Sequence, residues 1–267
     1  MSDITTHQYR FIKTEYSHLR ALENENTTKA AMECRFLSEK NDKREYVIKT
    51  KNYRQTNTKG MFGWVNDLQM LKENLHVSLR EDGLVGEILN MEQIRSKWAS
   101  IKNEVIKKHS HEKRSADFAK LITKLLEDER SFTASLRYVT PYISLFSGFS
   151  KNTQKEECYR EIPNFVGTKT IPIKAKTAPL TAENSSTLTE IIATGEIDKE
   201  NFDQTKVTDF VRTMRDNLRA RGEVQLRYTE RYAFNGSLLP AQAMCMSMVV
   251  IPGFLYRNEK SFLKKMS

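Results

Sequence analysis

The chain has 267 residues, 39% of them hydrophobic and 29% charged, and a mean hydropathy of −0.60, which excludes a polytopic membrane protein and a collagen-like chain and argues against wholesale disorder. The formal net charge of +9 is spread thinly: 14 basic and 13 acidic side chains in residues 1–90, 11 and 7 in 91–150, and 18 and 14 in 151–267. A polyanion binder concentrates its basic residues in a stripe or tail, so this distribution argues against a nucleic-acid partner.

Cys34, Cys158 and Cys245 are odd in number and far apart, so they build neither a complete disulfide framework nor a four-thiolate zinc site. The first residues show no basic stretch leading into an apolar run, and a cytoplasmic protein with reduced thiols is expected.

In chain order, period-2 alternation comes first. Tyr9, Phe11 and Lys13 oppose Ile12, Thr14 and Tyr16; Ala30, Met32, Cys34 and Phe36 share a face; Val47 and Tyr53 oppose Tyr46 and Ile48. Three long antiparallel strands are predicted over the first 55 residues. Leu75, Val77 and Leu79 alternate next, and Glu81-Asp82-Gly83 turns the chain back through Leu84 to Leu89, because glycine accepts the positive φ that a tight hairpin demands.

The period then changes to 3.6. Asn90 is a candidate cap for a helix with Ile94, Trp98, Ile101 and Val105 on one stripe, and Ser115 for a second helix with Phe118, Leu121, Ile122, Leu125 and Leu126. Tyr138 to Phe149 carries no charge. A helix there, opened by Thr140-Pro141, places Tyr142, Phe146 and Phe149 on one face, which must be buried or bind something.

A polar loop over 151–157 is the expected internal boundary, dividing the chain into 1–150 and 151–267, with packing of the two as one continuous domain as the alternative. Beyond it, strands are predicted over 159–162, 170–174 and 187–197, and a helix from Thr205 with Val207, Phe210, Val211, Met214 and Leu218 as its stripe and Gly222 at its end. Two strands, 224–234 and 244–251, close the chain around Asn235-Gly236. The expected fold is α+β: long antiparallel strands forming a curved sheet, or two related sheets, packed over a few helices.

Familiar chemistry finds no foothold. The glycine-rich phosphate cradles, G-x-S-x-G, H-E-x-x-H and C-x-x-C are all missing, so no catalytic residue and no cofactor is assigned. His109, His111 and Glu112 form the best metal-like group, but neighbouring imidazoles at i and i+2 do not share a helix face, and Lys107, Lys108, Lys113 and Arg114 repel a dication. A solvated bend is expected there and no metal.

Two surfaces remain. Arg212, Arg215 and Arg219 fall within a 60° sector of the helix from Thr205, and Arg227 and Arg231 lie on the polar face of the next strand, so together they suit an anionic partner. Tyr142, Phe146 and Phe149 with Met244, Met246 and Met248 suit an apolar ligand or partner; the Met strand itself reads as buried on both faces. Glu230 shares the apolar face of its strand with Tyr228 and Tyr232, where an ionised carboxylate needs an arginine partner or a raised pKa. The uncharged run from Tyr232 to Tyr256 is broken by Pro240 and Pro252 and is not read as a membrane span.

The leading expectation is a non-enzymatic interaction or adaptor protein whose partner is another protein. The alternative is a carrier of a small apolar or amphiphilic ligand held between sheet and helices, a layout known from sheet-over-helix carriers by fold analogy alone. An enzyme of unfamiliar type stands third.

Overall fold

The computed structural model describes residues 5–40, 43–112, 114–147, 156–166, 169–180 and 189–266. Within them, eleven strands form one antiparallel sheet. They are β1 (Thr6–Leu19), β2 (Leu22–Lys40), β3 (Lys43–Gln55), β4 (Asn74–Leu79), β5 (Val85–Ile88), β6 (Glu157–Val166), β7 (Lys169–Leu180), β8 (Thr189–Ile197), β9 (Gln225–Phe234), β10 (Gln242–Ile251) and β11 (Leu255–Lys265). Their spatial order is β5-β4-β3-β2-β1-β11-β10-β9-β8-β7-β6. Pairing of β1 with β11, with Phe11 opposite Leu263, joins strands from the two ends of the chain, so the sheet is single rather than a related pair.

The described helices are α1 (Met61–Leu68), α2 (Met91–Lys108), α3 (Ser115–Glu127), α4 (Glu129–Arg137), α5 (Tyr142–Leu145) and α6 (Gln204–Arg215). The protein is thus mostly antiparallel sheet; α2 and α3 lie where the sequence places them, and the helix from Thr205 is shorter than expected. Asp128 ends α3 and caps α4, its carboxylate accepting from the Ser131 N–H at 3.1 Å. The uncharged segment expected to be a helix forms the single turn of α5.

The register defines two faces. On one, Ile48, Cys34, Met32, Tyr9, Phe11, Leu263, Ala243, Tyr232 and Ile191 follow one another across the strands, all buried. The larger aliphatic and Phe side chains among them contribute roughly 1.5–3 kcal/mol each by leaving water. Ile143, Leu145, Phe146, Trp98 and Phe132 from the helices join the same core cluster. We call this the inner face.

Four expectations are corrected. Strand β11 escaped notice because Arg257 and Glu259 sit on its inner face, erasing the polar–apolar alternation. Helix α1 escaped because it has only eight residues with Gly63 among them; a Cβ there would lie 2.7 Å from the Thr58 carbonyl oxygen. Helix α6 stops at Arg215, not near Gly222, because Asp216 turns left-handed (φ 49°) and its N–H closes on the Arg212 and Thr213 carbonyls. Leu218, assigned to its stripe, is consequently 86% exposed. Lastly, β10 is buried on one face only: Ala243, Cys245, Val249 and Ile251 point inward, while Met244, Met246 and Met248 lie on the outer face.

Candidate functional site

The inner face is not apolar throughout. Midway along β1 the alternation that placed Tyr9 and Phe11 inward continues with Lys13 and Glu15, and the paired positions on β11 are Ser261 and Glu259. Lys13 Nζ lies 2.8 Å from Glu15 Oε1 and 3.2 Å from Glu259 Oε2; Arg257 holds Glu259 from the other side, its Nε donating at 2.6 Å, and its Nη1 reaches the Asn164 carbonyl at 3.0 Å. Burial opposes charge on both ions. The neighbouring cations nevertheless hold the Glu259 carboxyl far below its usual range, and the two carboxylates raise Lys13.

Above this polar belt runs the segment from Tyr138 to Tyr142, which links α4 to α5 and contains a cis Thr140–Pro141 bond. It is anchored on both flanks. Arg137 Nε donates to the Val85 carbonyl at 2.8 Å and Arg160 Nη2 to the Ser147 carbonyl at 2.7 Å, and Tyr232 Oη lies 3.2 Å from the Ile143 carbonyl oxygen.

Two cavities flank this strap, and Val139, Thr140 and Lys13 border both. The smaller, about 80 Å³, reaches Tyr228, Cys245 and Ser261. The larger, about 190 Å³, lies under α1 and the 3-10 turn Gln69–Lys72; its walls include Phe11, Ala30, Met32, Phe62, Val65 and Tyr142, with Glu15, Thr50 and Lys72 among its polar groups. A cavity of about 150 Å³ already admits a single aromatic ring. The Thr50 hydroxyl oxygen in the larger cavity and the Ser261 hydroxyl oxygen in the smaller are buried without a hydrogen-bond partner among the described residues. Lys72 makes no ion pair among the described residues, and burial, then repulsion from Lys13, lowers its pKa. A third and larger space, about 460 Å³, is a shallow groove between Phe36, Tyr46 and the turn Asn235–Leu239.

The sequence-predicted residues scatter about this site. Tyr142 lines the larger cavity; Phe146 is 3% exposed and packs its ring 5.2 Å from Tyr46; Phe149 lies outside the described residues. Met244, Met246 and Met248 project to the other side of the sheet, so the expected combination of aromatics and methionines in one pocket does not form. The arginines also divide. Arg212 faces Asp209 at 3.5 Å, Arg215 ends α6, and Arg219 has left the helix. Arg227 and Arg231 sit on the outer face of β9 directly opposite Met248 and Met244, with no ion pair among the described residues.

Two further groups are built more tightly than the sequence suggested. Glu230 is fully buried and paired with Arg160, whose Nε and Nη2 donate at 2.8 and 3.2 Å; the hydroxyls of Tyr228 and Tyr232 donate to the same carboxylate, the latter at 3.0 Å. The partner required for an inward carboxylate thus comes from β6, three strands away, across Ala175, Ala193 and Gly195. His109 is 4% exposed rather than part of a solvated bend. It stacks on Trp64 at 4.4 Å, with Nε2 2.8 Å from Asp67 and Nδ1 3.1 Å from Glu112, while His111 stays exposed. No group of three or more His, Cys, Asp or Glu among the described residues is arranged to hold a metal ion.

No family model matches the chain, and no curated protein matches it. Among solved structures it is similar to one described as lipid–protein interactions in lipovitellin, at 10% identity and a TM-score of 0.46. The match covers 98% of this chain and 25% of that one, so this chain spans about a quarter of its length. No helix among the described residues is long and apolar enough to cross a membrane.

Proposed function

We propose that this protein binds a small amphiphilic molecule in the larger cavity, between the inner face of the sheet and α1, without acting as an enzyme. The observation that carries this reading is an apolar cleft of about 190 Å³ whose wall holds a buried hydroxyl at Thr50 and an ammonium at Lys72, the first without a hydrogen-bond partner and the second without an ion pair among the described residues. Folded chains satisfy the polar groups they bury, and a polar group left over in an apolar wall is what a ligand's polar end requires. Phe11, Ala30, Met32 and Phe62 supply surface for its apolar body.

Titration calorimetry with benzyl alcohol, a neutral ring of matching size, tests this. The wild-type protein is expected to bind it, and Ala30→Phe, which fills the cleft from the sheet side, to lose it. Val65→Trp, which narrows the cleft from a helix position that is 42% exposed and therefore tolerant, guards against a folding defect in the first variant. Absence of wild-type binding, or binding unchanged in both folded variants, overturns the reading.

A second reading, partnership with another protein, draws on the outer face. The Met row and the arginine pair, separate in sequence, become cross-strand neighbours there, with Phe262 and Tyr16 adding half-exposed rings. Arg227→Gln with Arg231→Gln should then abolish capture of a protein partner while leaving benzyl alcohol binding intact; unchanged capture removes this reading.

A further inference from the structure

We infer that the cleft selects a monoanion, a small carboxylic acid whose carboxylate sits at Lys72 and accepts from the Thr50 hydroxyl while its apolar body lies over Phe11, Ala30 and Met32. The inference rests on the cleft being a ligand site and adds the chemical class of the ligand.

The larger cavity is bordered by two cations, Lys13 and Lys72, and one carboxylate, Glu15; the smaller adds Arg257, Glu259 and Glu161, the last accepting from the Tyr159 hydroxyl at 3.0 Å. Lys13 is shared between Glu15 and Glu259 and Arg257 is committed to Glu259, so these two anions are spoken for within hydrogen-bonding distance. Lys72 is left facing the cleft with a second ammonium, Lys13, bordering the same space. One negative charge beside Lys72 balances the larger cavity. A dianion would leave an uncompensated charge in a largely apolar wall, which is the costlier arrangement. Thr50, 7% exposed with an idle hydroxyl, supplies a neutral donor in the same wall, and a carboxylate has two oxygens to accept from both groups. A neutral ligand would satisfy Thr50 and leave Lys72 without a counter-ion.

Calorimetry with three ring-sized probes tests this: phenylacetate, its neutral isostere phenylacetamide, and phenyl phosphate. Phenylacetate is expected to bind at least about tenfold tighter than the amide, the contribution of one charge-assisted hydrogen bond, and phenyl phosphate no tighter than phenylacetate. Lys72→Met should erase the preference by weakening phenylacetate alone. Because the ammonium it removes makes no ion pair among the described residues, the fold should be retained, and the unchanged amide affinity verifies that. Thr50→Val should weaken phenylacetate several-fold. Equal affinity of acid and amide, or a preference that survives Lys72→Met, overturns the anion assignment while the cleft reading stands; phosphate binding tenfold tighter overturns the choice of a monoanion. Failure of every probe to bind the wild-type protein overturns the cleft reading itself.

Discussion

Glu230→Gln removes one charge and almost no volume from the inner face, and the structure fixes what that should cost. The guanidinium of Arg160, 2% exposed as a residue, loses its counter-ion, while its bonds to the Tyr159 and Ser147 carbonyls, at 3.1 and 2.7 Å, carry no compensating charge. Leaving one member of a buried pair uncompensated costs about 3–5 kcal/mol, and for a chain of this size that lowers the melting temperature by roughly 6–20 °C. Arg160→Leu alone should cost a similar amount, because Glu230 is then left with two tyrosine hydroxyls. In the double variant neither charge remains, and the glutamine carbonyl still accepts from Tyr228 and Tyr232. Its loss should fall short of the sum of the single losses by about 2 kcal/mol or more, the coupling expected of directly bonded groups. Urea unfolding of the four proteins measures this cycle. Strict additivity, or single variants within about 0.5 kcal/mol of wild type, would refute the claim that this pair organises the inner face.

Two other outcomes follow from particular contacts. Gly195→Ala should destabilise by about 1–3 kcal/mol through overpacking, since its Cβ would sit 2.4 Å from Ile173 Cγ2 and 3.0 Å from the Tyr228 ring; an unchanged urea midpoint would contradict that packing. Glu259 is an acid-stability group: although burial opposes ionisation, Lys13 and Arg257 pull its pKa from 4.5 down to about 2. A depressed carboxyl stabilises the fold above its unfolded pKa and loses that contribution as pH falls through the folded one. The urea midpoint should therefore decline between about pH 4.5 and 2, and less steeply in Glu259→Gln; parallel curves would contradict the assignment.

The sequence disclosed the strands better than the site. Alternation at Tyr9, Phe11 and Lys13 and at Ala30, Met32 and Cys34 located β1 and β2 because one face of each is buried beside a more polar one. The same test failed where an inner face carries charge, as on β11, and where a helix is as short as α1. Glu230 could be placed inward by period alone, but its partner on β6 is 70 residues away, a distance no local pattern spans. Lys13 gave the equivalent signal, an ion on the face of Tyr9 and Phe11. Lys72 gave none, because its place in the cleft depends on how the 3-10 turn settles over β3.

The most direct measurement is a crystal structure of the protein with phenylacetate at millimolar concentration. The account predicts density in the cleft bordered by Phe11, Met32 and Tyr142, with the carboxylate within hydrogen-bonding distance of Lys72 Nζ and Thr50 Oγ1. An empty cleft, or the ring seated instead on the outer face beside Met244 and Met248, would contradict it.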